Sequence, residues 1–579
     1  MQRKHFLSLY IILVILQFTS QFMLVDSITS NDHYHEELVL KPLATGHLYA
    51  HFQFTTYWHV DIANKDAFKH FNLFPKPLGQ ILSRYDVEEL HFSLTQGLWR
   101  HNWWGYPILS SPPGAELSVW FAANMSQSID SAWSGLTNAL SGLFCASLNF
   151  IDSTTTVSPA WSFRPEGASS EKNLNSSRLR YAVLTRETIC TENLTPWKKL
   201  LPCDAKAGLS VLFHSLALYN VNYHSMGVHV RPFCKTKDCK SSGVELKQTL
   251  SLVFNPIIHS GSRDWNLENL FSKAIPSVCP LATTSKIFVD ISNNKTYGGF
   301  VLKPLPHSLA PVKPTNPDFY AVYDLNRIDF DKPYASHGFN LAMEWLKLEK
   351  YGRGLNPPLD THRYATGLGD ENGGIRTRIY NHDERDINIL YMEVVPWFFR
   401  LYLHTFEVLC SKKSAQNVLL NRRFIPGKDR SRPYLLELAL RLPAKSSTTI
   451  KIDFQRAFLK WTEHPPDAHH GFYISSAIIT TVLLNDANTT VPPLMASNRN
   501  HDKEVITRLY TEALLVTLPT PDFSMPFIVI CLTSTVVAIA FGSIHNLTTR
   551  QYQLKNIEDI KKQSIFNRLI SLVLPFKKK

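Results

Sequence analysis

The chain has 579 residues, of which 44% are hydrophobic and 19% are charged, as in ordinary folded proteins. This length exceeds what one hydrophobic core supports, so we expect two or more domains. The formal net charge of +12 is modest for the length, and part of it lies near the C-terminus. It therefore does not indicate a protein that binds nucleic acid.

The N-terminus has the pattern of a secretory signal peptide over residues 1–27. Arg3 and Lys4 supply the positive start, and Phe6–Phe18 is an uncharged apolar segment that is short for a membrane span. We predict cleavage after Ser27. The alternative, an uncleaved anchor, is less favoured because no stop-transfer pattern follows.

Residues 28–301 are predicted to form an N-terminal lumenal region made mainly of strands. Apolar residues alternate with polar ones in Leu48–Thr55 and Ile287–Ile291, which is typical of strands in a sheet covered on one side. One amphipathic helix is indicated by apolar residues at steps of four and three. These residues are Ile129, Trp133, Leu136, Leu140 and Leu143.

Five N-x-S/T triplets precede the predicted membrane span, and with a signal peptide they indicate a glycoprotein. We predict N-glycosylation at Asn124, Asn175, Asn294 and Asn488. Asn193 is the poorest acceptor of the five, because a proline stiffens the chain directly after its triplet.

An odd number of cysteines, seven, precedes the predicted span. In an oxidising compartment at least one of them is then free or bonded to another chain. Cys145 lies in an apolar string and is expected to be a buried thiol. Cys234 and Cys239 bracket a short polar loop and can close a local disulfide. The seven are Cys145, Cys190, Cys203, Cys234, Cys239, Cys279 and Cys410.

A proline-rich stretch, residues 302–318, is predicted to be an extended connection between two lumenal regions. Residues 319–520 are predicted to be a second, β-rich lumenal region, because Leu436–Leu442 and Ile450–Phe454 again alternate with period two. Many short strands broken by proline and glycine favour β-sandwich-like lumenal domains with a few helices. The fold class is therefore mainly β, with one membrane helix near the C-terminus. The prolines of the connection are Pro304, Pro306, Pro311, Pro314 and Pro317.

The sequence lacks the common catalytic signatures G-x-S-x-G, H-E-x-x-H and the P-loop. The densest histidine cluster contains His464, Asp467, His469 and His470, and two prolines split it. A helix carrying a zinc site is therefore not indicated there, and we expect an exposed loop. We predict no catalytic residue, no metal site and no cofactor in this chain.

Residues 525–546 are predicted to be a transmembrane helix, because Phe527–Ile544 is apolar and uncharged and is long enough to cross a bilayer. Lysine and arginine residues in the tail, 547–579, favour a cytosolic C-terminus. The topology is then single-pass type I with most of the chain in the lumen. The terminal Lys577–Lys579 is compatible with retention in the endoplasmic reticulum.

Several long and unusual strings occur along this sequence. They are Leu140–Thr154, Cys190–Cys203, Leu459–Glu463, His470–Tyr473, Arg508–Glu512 and Leu518–Pro526. Together they closely resemble the PIG-T family of GPI transamidase subunits. The likeness extends over nearly the whole predicted lumenal body and the span, and it is lowest around residues 320–390 and in the tail.

The resemblance implies a non-catalytic scaffold subunit of the GPI transamidase, which joins proproteins to GPI anchors in the endoplasmic reticulum. It implies that a caspase-like catalytic subunit is a partner, joined by an interchain disulfide whose cysteine matches Cys190. It also implies other membrane subunits as partners, and GPI lipid near the span. The cysteine count agrees with this implication but leaves Cys410 and Cys145 open as the odd residue. The alternatives are a membrane-anchored lumenal hydrolase and a cell-surface adhesion receptor.

Overall fold

The structure is a computed structural model that consists mainly of β-strands. The signal peptide predicted at 1–27 and most of the predicted tail lie outside the described residues. The structure describes residues 32–60, 71–123, 125, 127–167, 175–204, 206–234, 242–292, 299–313, 316–328, 330, 338–346, 357–367, 371–412, 418–465, 467–484, 504–520 and 524–551.

The first half of the chain contributes the following strands and helices, in chain order. They are β1 (His33–Pro42), β2 (Leu48–Trp58), α1 (Lys76–Arg84), β3 (Val87–Gln96), α2 (His101–Trp104), β4 (Gly114–Phe121), α3 (Ile129–Phe144), β5 (Leu179–Leu184), α4 (Thr191–Lys199), α5 (Ser215–Tyr219), β6 (Tyr223–Cys234), β7 (Ser242–Phe254), α6 (Pro256–Ser260), β8 (Trp265–Asn266), α7 (Leu267–Phe271) and β9 (Thr284–Asp290).

The second half contributes fifteen further strands and one helix within the described ranges. They are β10 (Phe300–Lys303), β11 (Ser308–Lys313), β12 (Asn316–Asp324), β13 (Ala342–Trp345), β14 (Leu359–Thr366), β15 (Asn372–Asn381), β16 (Ile387–Val395), β17 (Phe399–Cys410), β18 (Leu419–Ile425), β19 (Tyr434–Leu442), β20 (Ser446–Arg456), β21 (Phe472–Ile474), β22 (Ile478–Leu484), β23 (Glu504–Tyr510), β24 (Leu514–Val516) and α8 (Ser524–Thr548).

A ten-stranded sheet dominates the N-terminal part, in the order β11-β12-β9-β1-β2-β7-β6-β3-β4-β5. Neighbouring strands are antiparallel except β1 and β9, which run parallel and bring Leu38 beside Ile287. The apolar residues of the alternating strands share one face, where Phe52 and Leu90 pack in the main core with Leu136 of α3. This sheet and its helices form the N-terminal lobe.

Helix α3 is the amphipathic helix that the apolar spacing predicts. Its first turn is capped by the hydroxyl of Ser128, which accepts a hydrogen bond from the amide of Ser131. The helix ends at Phe144 because Cys145 adopts a left-handed conformation, with φ of 52°.

The proline-rich stretch 302–318 contains β11 and the start of β12, which form one edge of the ten-stranded sheet. A separate three-stranded sheet, in the order β10-β13-β8, includes β10, whose last two residues are the first two of that stretch. The sequence-based domain boundaries at 301 and 319 stay a prediction.

The C-terminal lobe is a β-sandwich, as the short alternating strands predict. One sheet has the order β14-β15-β20-β17, and the other has the order β18-β19-β16-β22-β23. Apolar residues of both sheets form one core, with Ile379 and Ile450 on one side and Leu438 and Ile479 on the other.

An ion pair inside the sandwich joins its two sheets. Arg363 of β14 and Glu393 of β16 are both buried, and their charged atoms are 2.6 Å apart. Tyr391 donates a hydrogen bond to the same carboxylate at 2.7 Å. Nη1 of the same guanidinium donates to the carbonyl oxygens of Ser475 and Glu512, whereas its Nε–H is buried without a hydrogen-bond partner.

The two lobes contact each other through both polar and apolar side chains. Glu437 of β19 accepts hydrogen bonds from three successive backbone amides of the N-terminal lobe, Ala160, Trp161 and Ser162, at 2.9 to 3.1 Å. Arg508 of β23 pairs with Glu166 at 2.9 Å. An apolar cluster with members from both lobes, including Trp120, Leu179, Met392 and Leu435, packs between them.

A second compact unit comprises Leu459–Ala468 and Thr520–Lys579. It contains α8, in which Phe527–Thr548 has a mean hydropathy of 2.4 and is not buried in the protein. A predominantly apolar helix of 22 residues is long enough to cross a membrane. A helix that could span a membrane therefore lies where the span is predicted, with ends within two residues of those expected.

Candidate partner interface

Cys190, for which the family resemblance implies an interchain disulfide, lies directly before helix α4. Its thiol is free and its side chain is exposed. The helix itself is well anchored, because Leu194 and Trp197 point into the main core. The indole of Trp197 also donates a hydrogen bond to the backbone oxygen of Gly227 at 3.1 Å. Cys190 is thus an accessible thiol at the start of a helix that is anchored in the core.

Asn193, one turn into α4, fixes the backbone at Cys190. Its side-chain oxygen accepts a hydrogen bond from the amide of Cys190 at 2.9 Å. Its side-chain nitrogen donates to the carbonyl oxygens of Phe144 and Cys145 at 3.0 and 2.9 Å. One amide group therefore ties the start of α4 to the end of α3.

Tyr219, at the end of α5, anchors the same residue from a third element. Its hydroxyl donates a hydrogen bond to the carbonyl oxygen of Cys190. Burial raises the pKa of Tyr219, so the phenol stays protonated and remains a donor at neutral pH. With both backbone polar groups of Cys190 engaged, the thiol is the part of this residue left for a partner.

The other cysteines before α8 differ from the expectations in two respects. The expectation that Cys145 is buried is wrong: it is exposed, because it caps α3 while its neighbours Phe144 and Ala146 point inward. Cys203 and Cys279 form a disulfide across 76 residues, with Cα atoms 6.0 Å apart. No sequence signal indicated this pairing, since the two cysteines are far apart and share no motif.

Two further cysteine predictions concern Cys234 and Cys410. Cys234, the last residue of β6, is disulfide-bonded. Cys239 lies outside the described residues, so the predicted pairing of these two stays a prediction. Cys410 is free, like Cys145 and Cys190. The pattern of internal disulfides therefore does not identify which of these three free cysteines would bond to another chain.

The predicted glycosylation sites fall mostly outside the described residues, as Asn124, Asn294 and Asn488 do. Asn175 is described and is exposed at the start of a short 3₁₀ helix, where its side chain accepts a hydrogen bond from the amide of Ser177. Asn193 is only 1% exposed, and all its side-chain polar atoms are engaged.

The histidine loop predicted at 464–470 is partly exposed. His470 lies 3.3 Å from the hydroxyl of Tyr473, and Asp467 and His469 are exposed. Among the described residues, no group of three His, Cys, Asp or Glu side chains is arranged to hold a metal ion.

Sequence reasoning missed a buried polar cluster at the junction of the lobes. Glu116 accepts hydrogen bonds from Tyr181 and Tyr510 at 2.9 and 3.0 Å, and burial raises its pKa. Nearby, the rings of His91 and His229 are joined at 3.1 Å. These residues occupy the polar positions of alternating strands. They would be exposed on an isolated sheet, so only the position of the second lobe reveals their burial.

Comparison with known proteins gives a consistent result over nearly the whole length. The family model described as "Gpi16 subunit, GPI transamidase component" matches residues 18–264 and 254–573. The mouse protein named GPI-anchor transamidase component PIGT is 43% identical over 561 residues, which cover 94% of this chain and 93% of the mouse protein.

Two other relatives agree with this assignment. The human protein of the same name is 43% identical over 553 residues, covering 94% of each chain. The Saccharomyces cerevisiae protein named GPI transamidase component GPI16 is 28% identical over 586 residues, covering 94% of this chain and 93% of the yeast protein. The chain therefore belongs to the Gpi16 family of GPI transamidase components.

Proposed function

We propose that this chain is a non-catalytic scaffold subunit of the GPI transamidase, linked through Cys190 by a disulfide to a caspase-like catalytic subunit. The observation that carries the proposal is the exposed, free thiol of Cys190, whose backbone is held by Asn193 and Tyr219. A covalent link keeps the partner at a high effective concentration, so modest contacts suffice to hold the pair together.

The proposed setting is the endoplasmic reticulum membrane, with α8 crossing the bilayer once and both lobes in the lumen. This setting is supported by family membership, by the apolar composition of α8 and by the basic residues after it. Small residues in α8, such as Ala538, Ala540 and Gly542, would let helices of other subunits approach closely, near the GPI lipid.

The Cys190→Ser variant tests the covalent link. The full chain is expressed with the other subunits, and the complex is analysed on a non-reducing gel. We expect the wild-type chain to migrate partly as a reducible band of higher mass that also contains the catalytic subunit, and the variant to lack this band. Co-purification in mild detergent should persist at a lower yield, because the non-covalent contacts remain.

Two matched controls use the other free lumenal thiols. Cys145→Ser and Cys410→Ser should each keep the high-mass band, since neither thiol forms the link. If the band persists in Cys190→Ser and is lost in one of the controls, the cysteine of that control forms the bond and the proposed role of Cys190 is wrong. Turnover of substrate by this chain alone would contradict the non-catalytic role.

A further inference from the structure

We propose that the loop Leu459–Ala468 is a second membrane contact, with Trp461 seated among the lipid headgroups of the bilayer that α8 crosses. The inference rests on the membrane-spanning role proposed for α8, and it adds a lipid-binding surface. The occupant is the polar headgroup region of the bilayer.

The first observation is that two large aromatic side chains in and next to this loop, three residues apart, are both exposed. Trp461 is 60% exposed, and Phe458, directly before the loop, is 76% exposed. Trp58, Trp99, Trp104 and Trp197 in the same protein are all at most 5% exposed, and Trp103 is 51% exposed. Tryptophan is usually well buried, so an aromatic side chain left this open marks a surface that something else covers.

The second observation is that the turn carrying Trp461 is preformed. Residues Trp461–Glu463 form a short 3₁₀ helix, in which the amide of Glu463 donates to the carbonyl oxygen of Lys460 at 2.9 Å. The carboxylate of Glu463 accepts a hydrogen bond from the amide of Lys460 at 2.8 Å. The turn therefore presents Trp461 outward without a further loss of backbone entropy on binding.

The third observation places the loop with the membrane helix. Leu459–Ala468 and Thr520–Lys579 form one compact unit, although about 50 residues of sequence separate them. The loop therefore groups with the segment that contains α8 and not with the two lobes. This grouping favours lipid as the occupant over a partner that would bind elsewhere on the lumenal body.

The chemistry of the exposed residues fits the headgroup region. The indole ring is apolar over most of its surface and carries one N–H donor, so tryptophan concentrates at membrane–water interfaces. Lys460 is exposed beside it and can reach lipid phosphates with its ammonium group while its stem lies along the apolar surface.

Collision measurements on a nitroxide label test the proposal in the assembled complex. Thr462→Cys is labelled in a background carrying Cys145→Ser, Cys190→Ser, Cys410→Ser and Cys531→Ser, which removes every free thiol of the described residues. The complex is placed in nanodiscs of phosphatidylcholine and phosphatidylinositol. Oxygen concentrates in lipid, whereas a nickel chelate stays in water. We expect the ratio of oxygen to nickel collisions to be at least threefold higher than at the matched control Leu305→Cys, an 81% exposed site on the N-terminal lobe.

Three outcomes separate the occupants. A high ratio that falls toward the control value when Trp461→Ser is added supports the lipid contact. A ratio equal to the control means that water surrounds the loop, and low collision rates with both reagents mean that another subunit covers it; either result overturns the proposal. Extraction by alkaline carbonate and co-purification of subunits, measured on the same samples, report separately on the span and on the scaffold role.

Discussion

Asn193 shows at the scale of one residue how a sequence motif and its folded setting can disagree. The triplet Asn193-Leu-Thr matches the glycosylation pattern, and the sequence argument against it relied on the proline that follows. The structure supplies a different reason, because the amide nitrogen is buried and already donates to two carbonyl oxygens. A glycan on that nitrogen would remove a needed donor and would have no room.

The first prediction therefore concerns the glycan mass of the folded chain. Thr195→Ala removes the Asn193 triplet, and we expect no change in the mass released by glycosidase treatment. Asn175→Gln, at an exposed triplet, should reduce the released mass by one glycan. A loss of one glycan in Thr195→Ala would show that this asparagine is modified and that α4 is not folded as described.

Which residues are accessible could be predicted from the sequence only in part. The helix spacing identifies Leu136 and Leu140 as core residues, and both are buried. Cys145 follows them in the same apolar string, but the left-handed cap turns it outward. Apolar neighbours indicate burial on average, whereas the direction of one side chain depends on backbone geometry that composition does not contain.

Strand β1 illustrates the scale of the element, because a buried carboxylate connects it to two other segments. Glu36 accepts hydrogen bonds from Tyr34 at 3.2 Å, from the amide of Leu209 at 3.2 Å and from Ser285 of β9 at 3.0 Å. Its side chain lies against Gly208, where any side chain would collide with the carboxylate and where φ is +73°. Burial raises the pKa of Glu36 to about 7.

The raised pKa predicts how stability depends on pH. The folded state binds the proton more tightly than the unfolded state, whose glutamate has an ordinary pKa near 4.5. Stability from this group is complete below pH 4.5 and is lost as the pH rises through about 7. A shift of this size corresponds to about 3 kcal/mol in the free energy of unfolding.

Glu36→Gln should abolish this dependence, because the amide is neutral throughout and can still bond to Tyr34, Leu209 and Ser285. Denaturant unfolding of the full chain should be measured between pH 5 and pH 7.5. We expect the free energy of unfolding of the variant to fall less with pH than that of the wild type, so the variant is the more stable of the two at the higher pH. Glu192→Gln, at an exposed position in α4, should keep the wild-type slope. An unchanged slope in Glu36→Gln would mean that another group titrates.

The sequence pattern predicted which segments are strands, but it did not predict which strands are neighbours in the sheet. The period-two pattern correctly identifies β2, β9, β19 and β20 as strands. It cannot show that β1 pairs in parallel with β9, some 250 residues later, since periodicity fixes a face but not a neighbour. The polar residues of β1 and β2 are also buried, which alternation alone would place in water.

At the scale of the whole molecule, the contact between the lobes rests on a few fully desolvated groups. Glu437 is 1% exposed. Its carboxylate accepts hydrogen bonds from three backbone amides of the N-terminal lobe and forms an ion pair with Arg423 at 3.0 Å. A scaffold that holds partners in place needs its own lobes in a fixed orientation, so this contact is a requirement of the proposed function.

Glu437→Ala should loosen the junction. Losing the acceptor leaves the half-buried amides of Ala160 and Trp161 and the buried amide of Ser162 without this partner, which costs about 2 kcal/mol. Hydrogen exchange at these three amides should then be about thirtyfold faster than in the wild type. Glu407→Ala removes an exposed ion pair with Lys451 and should leave exchange at residues 160–162 unchanged; equal exchange in both variants would show that Glu437 does not hold the lobes.

The sandwich of the C-terminal lobe and the membrane helix follow from local patterns, and both were predictable. The size and strand order of the ten-stranded sheet depend on contacts between distant segments, which a single sequence does not encode in readable form. The polar cluster around Glu116 exists only where the lobes meet, so it has no local signature.

The burial of each cysteine sulfur determines which disulfide a reductant reaches first. Cys279 is buried in the main core and Cys203 packs beside it, whereas Cys190 stands open to solvent. Thiol–disulfide exchange requires the attacking thiolate to approach a sulfur in line, so a dilute reductant would reach a bond at Cys190 long before the internal one. The proposed disulfide to a partner would then be reduced while the internal disulfide between Cys203 and Cys279 stays intact.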